Sequence, residues 1–299
     1  MWFIAKDKSV PISDLVLSDN LATYHQVISF STSAKLYVNE GVIDAGFSKY
    51  DVHIVNQMRN GDDGMKVDCV TKAVHKAFNS VTAGYNGWTT VKKLFNKLGY
   101  TYQSDYQTNN TYFSIPQCMV TTLFDNLTKY ASFANGGGAH FYMSYDGTIH
   151  GYDYKLIKEK GSVNTLIGKI TSEQIRTDFS DYTPSEYDII CWDNDNNRKR
   201  ETLSLQKSYG KGVVNINDTT GVWKDVIKQE LTNTFYNKWY NGHTITLNVA
   251  MGGIPTLGSL VKIDNDDNDT YIVKAVNIAY NELQEVPVTT AVLISNPVI

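Results

Sequence analysis

The region of sequence that decides the fold begins with Gly242-His243-Thr244-Ile245-Thr246-Leu247-Asn248-Val249 and continues through Gly252-Gly253-Ile254-Pro255-Thr256-Leu257-Gly258-Ser259-Leu260-Val261-Lys262-Ile263 to Thr270-Tyr271-Ile272-Val273-Lys274-Ala275-Val276. Thr244 to Val249 alternates polar and apolar residues, which is typical of a half-buried strand. Pro255 and Gly258 indicate a tight turn into the next strand, and the acidic run 264–269 predicts a solvated turn. We therefore predict consecutive strands that close a small β-barrel.

This order of elements carries a resemblance to a known family. A strand is followed by a Gly-x-Pro-x-x-Gly-Ser segment, a second strand, a polar turn and a Tyr-x-Val strand. The arrangement resembles the closing barrel of the phage baseplate and tail hub family, which the hub portion of VgrG-type type VI secretion spike proteins shares.

Length and composition exclude several classes of protein. A chain of 299 residues, 42% of them hydrophobic, predicts two or three packed units. The formal net charge of −4 gives no electrostatic basis for gripping nucleic acid, so we expect no specific nucleic-acid binding. The apolar run at Met1 to Ala5 is short for a signal peptide, and the chain lacks a stretch of roughly 18 apolar residues. We expect that the protein has no membrane anchor and that it assembles in the host cytoplasm.

The cysteines are few and widely spaced. Cys69, Cys118 and Cys191 form no Cys-x-x-Cys pair, so neither a disulfide framework nor a zinc site is indicated. We interpret them as small buried side chains. The 20 tyrosines suit half-buried sheet positions and subunit interfaces.

Residues 1–78 are predicted to form a first β-barrel. Its strand candidates are Val27 to Phe30, Leu36 to Val38, Asp51 to Val55, and Met65 to Val70 after a turn at 61–64. The last of these resembles the strand with which hub proteins leave their first barrel.

Residues 79–155 change to a helical period and are predicted to form an α/β domain. One apolar stripe is Trp88, Val91, Leu94, Phe95 and Leu98, ended by Gly99; a second starts at Ser114-Ile115-Pro116-Gln117 and runs through Val120, Leu123, Phe124, Leu127 and Ala131 to a glycine loop at 136–138. A hairpin with an Asp146-Gly147 turn follows. The block resembles the α/β domain inserted between the two barrels of hub proteins.

Residues 156–299 are predicted to form a second β-barrel with a helix near 220–240. Its stripe is Trp223, Ile227, Leu231, Phe235 and Trp239, between Asp218-Thr219-Thr220 and Asn241-Gly242. Such a stripe predicts a helix that packs on protein. The fold class is therefore mainly β with an inserted α/β domain (α+β), in which two small tube-type barrels flank the insert.

Two histidines near the hairpin are the best candidates for chemistry. A two-residue Asp146-Gly147 turn places His140 opposite Asp153 and His150 opposite Met143, so the histidines face opposite sides of the sheet and cannot share a metal ion. His140 and Asp153 could form a base with its orienting carboxylate, but the sequence places no nucleophile beside them.

Other candidate groups are weaker. Cys118 lies in the first turn of the second predicted helix, where a helix dipole can activate a thiol. Asp193-x-Asp195-x-Asn197 and Asp264-x-Asp266-x-Asn268 imitate the start of a calcium loop. However, they lack its glycine, and Ser204 and Ala275 replace its final glutamate, so we interpret both as solvated turns. Serine-hydrolase, zinc-protease and nucleotide-binding motifs are absent. We predict no catalytic, cofactor-binding or metal-binding residues, and no cofactor.

The resemblance implies a structural protein of the virion tail and not an enzyme. In hub proteins two similar barrels per chain let a homotrimer match a sixfold tail tube on one side and a threefold spike on the other. The expected partners are a tail tube or distal tail protein, a central spike or tip protein and a tape measure protein, with DNA passing through the bore. Two alternatives stay open: a tail-associated cell-wall hydrolase using carboxylates or the His140–Asp153 pair, and a carbohydrate-binding β protein with an exposed Tyr and Trp platform.

Overall fold

The computed structural model describes residues 1–6, 8–33, 35–61, 64–175, 184–192, 197–205, 210–217, 222–250, 253–264, 269–281 and 287–296. Strands dominate these residues, in agreement with the predicted mainly β class. In this described part of the chain, no helix is long and apolar enough to cross a membrane.

The N-terminal part consists of strands and one short turn of 3-10 helix at Leu21–Thr23. The strands are β1 (Trp2–Ala5), β2 (Lys8–Pro11), β3 (Ser13–Asn20), β4 (Val27–Thr32), β5 (Glu40–Asp44), β6 (Lys49–Asn60) and β7 (Gly64–Thr71). The strands predicted from Val27, Asp51 and Met65 are confirmed. The strand predicted at Leu36 to Val38 is wrong, because this segment has no strand pairing.

The middle of the chain alternates helices with short strands. The elements are α1 (Lys72–Phe78), β8 (Val81–Thr82), β9 (Tyr85–Thr89), α2 (Val91–Lys97), β10 (Tyr102–Gln103), β11 (Thr111–Ile115), β12 (Cys118–Met119), α3 (Val120–Tyr130), β13 (Ala139–Met143), β14 (Ile149–Asp153) and α4 (Tyr154–Lys160). Both predicted helices exist, and Gly99 has the predicted left-handed φ of 84°.

Both of these helices start later than the sequence pattern predicts. Thr90 caps α2 by accepting a hydrogen bond from the Lys93 amide, which leaves Trp88 in β9. The predicted cap at Ser114 is wrong, because Ser114 lies in β11. Ile115 precedes a proline, and that position favours extended backbone over helix.

The C-terminal part returns to strands, interrupted by the long helix α5. The elements are β15 (Val163–Leu166), β16 (Gly168–Ile175), β17 (Glu186–Trp192), β18 (Arg198–Ser204), β19 (Lys211–Asn217), α5 (Val222–Trp239), β20 (His243–Val249), β21 (Leu260–Ile263), β22 (Tyr271–Tyr280) and β23 (Val288–Ser295). The three strands of the quoted fold-deciding region are therefore confirmed as β20, β21 and β22.

The two halves of the chain share one open sheet. Its main path runs β16-β20-β23-β22-β3-β4-β7-β6-β5-β1-β2, with β21 and β15 attached beside β22. The described strands close no barrel, so the predicted arrangement of two separate barrels is not confirmed. The junction is the antiparallel pairing of β3 with β22, in which Leu17 lies opposite Ile278. β22 directs residues such as Val273 into the main core and Ile272 into a cluster with α4 and α5, so most of its residues are buried.

One hydrophobic core runs beneath this sheet. It joins N-terminal side chains such as Phe3 and Phe30 to C-terminal ones such as Leu247 and Val273. A second core fills the middle segment around Phe95, Phe124 and Phe141. A separate sheet, in the order β18-β17-β19, packs on α5 through Ile227 and Leu231. The domain division 1–78, 79–155 and 156–299 stays a prediction.

The second glycine of the Gly-x-Pro-x-x-Gly-Ser segment, Gly258, is required by its backbone conformation and by a close side-chain contact. Gly258 has a left-handed φ of 74° and donates its amide to the Val273 carbonyl at 2.8 Å. The ring of Tyr152, from β14, lies against it so closely that a Cβ at position 258 would come within 2.4 Å. A larger residue would therefore displace the middle segment from the C-terminal strands.

Helix α5 places its predicted stripe in two environments. Phe235 and Trp239 are buried in a cluster with α4 and β22, whereas Ile227 and Leu231 are half-buried on the small sheet. Trp223, at the start of the helix, is 48% exposed. The predicted packing is thus confirmed for the stripe except for Trp223. The predicted start at Asp218-Thr219-Thr220 lies outside the described residues.

Candidate assembly surfaces and candidate catalytic residues

The hairpin between β13 and β14 has a different register from the one predicted. The Ser144 amide donates to the Thr148 carbonyl at 2.9 Å, which leaves a three-residue loop in which Gly147 has a φ of 86°. Such loops end in a left-handed residue that shifts the pairing by one position relative to a two-residue turn. His140 therefore lies opposite Tyr152, and Asp153 lies opposite Ala139.

This shift overturns the predicted placement of the histidines. Tyr142 lies opposite His150, so His140 and His150 share one face of the hairpin. They belong to different cross-strand pairs and contact different groups: His140 lies against the Tyr154 ring at 4.3 Å, and His150 Nε2 is 3.2 Å from the Ser144 hydroxyl. Among the described residues no group of three histidine, cysteine or acidic side chains could hold a metal ion.

His140 and Asp153 do not form a catalytic pair, because they lie on opposite faces of the hairpin. The Asp153 carboxylate caps α4: its Oδ1 accepts from the Gly137 amide at 2.9 Å and from the Leu156 amide at 3.0 Å. Burial raises the pKa of Asp153 to about 6. Burial also lowers the pKa of His140 to about 4. Asp153 is buried, and both ring nitrogens of His140 are inaccessible to solvent.

The cysteines and acidic turns offer no alternative chemistry. Cys69 is buried in the main core, as predicted, and burial raises the pKa of its thiol to about 12. Cys118 is half-buried and lies in β12, before α3 and not inside it as predicted. Its carbonyl accepts a hydrogen bond from Thr82 at 3.0 Å. The two calcium-loop imitations lie mostly outside the described residues, at 193–196 and 265–268.

A histidine pair that the sequence pattern did not reveal lies where α1 meets β6. The rings of His53 and His75 are stacked with centroids 3.4 Å apart and an interplanar angle of 11°. Ring nitrogens direct their lone pairs in the plane of the ring, so two parallel stacked rings cannot converge on one ion. Glu40 lies 3.6 Å from His53 and 3.4 Å from Lys72, which makes this a structural contact between strand and helix.

A buried asparagine fixes α5 to the middle segment. Asn233 Oδ1 accepts from the amides of Gly138 and Ala139, and its Nδ2 donates to the carbonyls of Lys129 and Ala131, each at 2.9 Å. These bonds satisfy the end of α3 and the glycine loop at 136–138. These hydrogen bonds hold the glycine loop predicted at 136–138 in place.

A partly buried ion pair fixes α4 to the C-terminal strands. Lys158 Nζ is 3.2 Å from Asp269 Oδ1 and donates to the hydroxyl of Ser295 at 2.9 Å. Burial lowers the pKa of Lys158 against the opposing effect of Asp269. Together with Asn233, this pair holds the middle segment and the main sheet in one fixed arrangement.

The two ends of the main sheet differ sharply. In the described part of the chain, β16 pairs only with β20 and β2 only with β1, so each has one free side. β16 is eight residues long, has no proline and is almost wholly exposed, with Ile170 at 43% and Ile175 at 42%; it also carries Lys169, Glu173 and a β-bulge at 170–172. β2 has four residues and contains Lys8 and Pro11, two features that discourage strand pairing. β16 is therefore the candidate assembly edge.

A surface pair of tryptophan and tyrosine is a candidate for the aromatic platform of a carbohydrate-binding protein. Trp88 on β9 is half-exposed and lies edge-to-face with Tyr112 on β11, with ring centroids 5.8 Å apart. The Tyr112 hydroxyl donates to Asn86 at 2.6 Å. The perpendicular rings present no flat surface of two coplanar aromatics, so this pair gives little support to that alternative.

The fold has counterparts among solved structures, although no protein-family model and no curated protein matches the chain in sequence. A tail protein from Neisseria meningitidis MC58 matches with a TM-score of 0.61 and 14% identity over 97% of this chain and 94% of that protein. The 43 kDa tail protein of prophage MuSo2 from Shewanella oneidensis matches with a TM-score of 0.60 and 10% identity over 98% and 97%.

A solved structure from a type VI secretion system, the system to which the sequence resemblance pointed, also matches the fold. A component of the E. coli type VI secretion system, described as similar to bacteriophage T4 tail proteins gp27 and gp5, matches with a TM-score of 0.50 and 10% identity over 99% of this chain and 76% of that protein. The resemblance to phage tail and type VI spike proteins is thereby confirmed at the level of fold, along nearly the whole chain. At these identities the fold alone is shared.

Proposed function

We propose that this protein is a non-enzymatic structural component of a phage tail or baseplate, and that it acts there as a homotrimeric hub. The hub joins a sixfold tail tube to a threefold spike or tip. Support for the coarser role comes from the fold shared with tail proteins over nearly the whole chain. Support for the trimer comes from the surface described next.

The observation that carries the proposal is the long exposed edge β16 on a sheet that contains both halves of the chain. An unpaired strand edge is a template for adding a strand from another chain. A head-to-tail contact, in which β16 of one copy meets a different surface of the next copy and not its β16, closes into a ring when the rotation is right. In a trimer, the two tube-type halves of each chain would then supply six related units, which is the symmetry of a tail tube.

The proposed partners follow from this role. One side of the ring contacts a tail tube or distal tail protein, the other a central spike or tip protein, and a tape measure protein occupies the bore until DNA passes. The net charge of −4 is compatible with a bore that does not retain DNA. The protein is then a virion component that assembles in the host cytoplasm.

The hydrolase alternative has lost its specific candidate, because His140 and Asp153 lie on opposite faces of the hairpin. A carboxylate pair elsewhere is tested by incubating the protein with purified cell wall and measuring released sugars and peptides. We expect no release above that of a heat-inactivated sample. Hydrolysis that saturates with substrate would replace the hub proposal with an enzyme.

The hub proposal itself is tested by a cryo-electron microscopy map of the particle that contains this chain. We expect three copies around the tail axis, between the last tube ring and the tip. Density for this chain in the capsid or in peripheral fibres would contradict the proposal.

A further inference from the structure

We infer that a groove next to residues 35–38 is a docking site for a short acidic peptide segment that carries a bulky apolar side chain. The groove has a volume of about 430 Å³. It lies between the β1–β2 hairpin and the segment that precedes β5, away from the exposed edge β16. The inference does not rest on the hub proposal, because the partner is identified by its chemistry.

The floor of the groove is apolar and is formed by one face of the β1–β2 hairpin. Phe3 lies opposite Val10 and Ala5 lies opposite Lys8, so these four side chains share that face. The opposite wall is formed by Leu36 and Val38. A volume of a few hundred Å³ is in the range of ordinary ligand sites, and this one would accept a side chain of the size of leucine or phenylalanine.

The rim of the groove is basic. Lys6, Lys8 and Lys35 line it, and no acidic residue is among the described residues that do so. Asp7, which stands between Lys6 and Lys8 in the sequence, lies outside the described residues. Its single negative charge is smaller than the combined positive charge of the three lysines. Charge complementarity therefore favours an acidic partner, and it would raise the association rate more than the final affinity.

An exposed aromatic anchor stands at the same place. Tyr37 is 88% exposed, and Lys35 Nζ lies 5.6 Å from the centre of its ring. Tyrosine is among the residues that contribute most to protein interfaces, because it buries a large ring at little entropic cost. A tyrosine so fully presented to solvent beside an apolar groove has no role in this chain's own core.

The segment that bears Tyr37 is held rigidly, although it is not a strand. Gln57 on β6 forms two hydrogen bonds to the backbone of Leu36: its Oε1 accepts from the amide at 3.1 Å, and its Nε2 donates to the carbonyl at 3.0 Å. The Ile54 amide also donates to the Asn39 carbonyl at 2.8 Å. A pre-organised segment loses little entropy on binding, which is the property expected of a docking site.

The partner is recognised by side chains and not by strand pairing. β2, the neighbouring edge strand, contains Lys8 and Pro11, and both discourage the addition of a further strand. The proposed interaction therefore places an apolar side chain in the groove against Tyr37, with carboxylates near the lysines.

A peptide titration tests the inference. The probe is a fluorescein-labelled twelve-residue peptide that alternates Glu or Asp with Phe or Leu, and binding to the full chain is followed by fluorescence anisotropy. We expect a Kd of about 10–100 μM that weakens as salt rises from roughly 50 to 300 mM. Versions with lysine for the acids, or serine for the apolar residues, should bind at least about tenfold more weakly.

Matched variants locate the binding. Tyr37→Ala, and the triple variant Lys6→Gln/Lys8→Gln/Lys35→Gln, should each weaken binding by about tenfold or more. Gln57→Ala should weaken it by a smaller factor, because it only loosens the segment. Tyr145→Ala, at another exposed tyrosine, and Lys92→Gln/Lys93→Gln/Lys129→Gln, which removes equal charge, should leave it unchanged.

Four results would overturn the inference: no binding at about 1 mM protein, equal binding of the lysine peptide, binding unaffected by Tyr37→Ala, or a change in the protein's own oligomeric state caused by Tyr37→Ala. The last would show that a second copy occupies the groove. Because Tyr37 is almost fully exposed, its variant should keep the wild-type melting temperature, so loss of binding can be separated from loss of fold.

Discussion

The two end strands of the main sheet, β2 and β16, each leave one row of backbone hydrogen-bonding groups unpaired among the described residues. They differ in length and in the residues that prevent a further strand from pairing. β2 is short, contains a lysine and a proline, and follows the pattern by which soluble proteins prevent unwanted strand pairing. β16 is twice as long, has no proline and exposes Ile170 and Ile175, although Lys169, Glu173 and a β-bulge at 170–172 partly protect it. A long, exposed strand edge is an aggregation hazard unless something covers it. Under the proposed function, β16 and not β2 is the edge expected to pair with a partner.

The largest effect is expected when lysines replace the two exposed isoleucines of β16. Ile170→Lys with Ile175→Lys should weaken self-association by roughly a thousandfold, about 4 kcal/mol, because each buried apolar contact is replaced by a charge. Sedimentation velocity checks this. The matched variant Ser9→Lys with Pro11→Lys on β2 should leave association unchanged. Equal loss in both variants would remove the distinction between the two edges.

The comparison of the two edges requires that every edge variant is folded. A substitution of the buried Asn233 shows how a loss of fold stability would appear in the same measurement. Asn233→Ala should lower the free energy of unfolding by about 3 kcal/mol, because it leaves several buried backbone groups without partners. Asn96→Ala, at an exposed position of α2, should change it by less than about 0.5 kcal/mol. Chemical denaturation measures both. A wild-type midpoint for Asn233→Ala would show that the hydrogen bonds of Asn233 between α5 and the middle segment contribute little to stability.

The interior adds a pH dependence to folding. Asp153 has a raised pKa of about 6, so the folded state binds more protons than the unfolded state between about pH 4 and 6, and this group's contribution to stability falls as pH rises through that window. His140 has a lowered pKa of about 4, so its contribution rises with pH between about pH 4 and 6.5. The two dependences oppose each other.

Substituting one group at a time should therefore give opposite slopes. Relative to wild type, Asp153→Asn should gain about 2 kcal/mol of unfolding free energy from pH 4 to pH 7, and His140→Gln should lose a similar amount over the same range. Denaturant titrations at several pH values measure the differences. Parallel curves for both variants and wild type would show that neither group titrates as its burial indicates.

The smallest effect is expected at the exposed end of α5. Trp223→Ala should lower the free energy of unfolding by less than about 1 kcal/mol, because the side chain is 48% exposed. Trp239→Ala, at the buried end of the same stripe, should cost about 3 kcal/mol or more. A large loss at Trp223 would indicate that the start of α5 is covered within the chain, and would remove it from the surface open to partners.

Local patterns predicted the elements well where one period dominates. The buried positions Leu94, Phe95, Leu123, Phe124 and Leu127 follow the helical spacing of the sequence. The hairpin register was mispredicted, because Asp146-Gly147 suits either a two-residue or a three-residue loop. Asp146 accepts from the Thr148 amide at 3.0 Å and from the Ser144 hydroxyl at 2.7 Å, and these bonds select the longer loop. A one-residue shift then moved His140 away from Asp153.

Long-range features were beyond the reach of the sequence pattern. The pairing of β3 with β22 joins residues far apart in the chain, and only this pairing shows that both halves share one sheet. The candidate surfaces depend on the same information: β16 is an edge because of its place in the sheet order, and Tyr37 was predicted as part of a strand. Residues 168–175 show no alternation of polar and apolar side chains, so neither this strand nor its exposure was predicted.

The most direct test of the hub proposal is the mass of the full chain in solution, measured by sedimentation equilibrium over about 1–100 μM protein. The account predicts a trimer that dissociates to monomers when Ile170 and Ile175 are both replaced by lysine. A monomer at every concentration, or a trimer that is unaffected by the β16 substitutions, would contradict it.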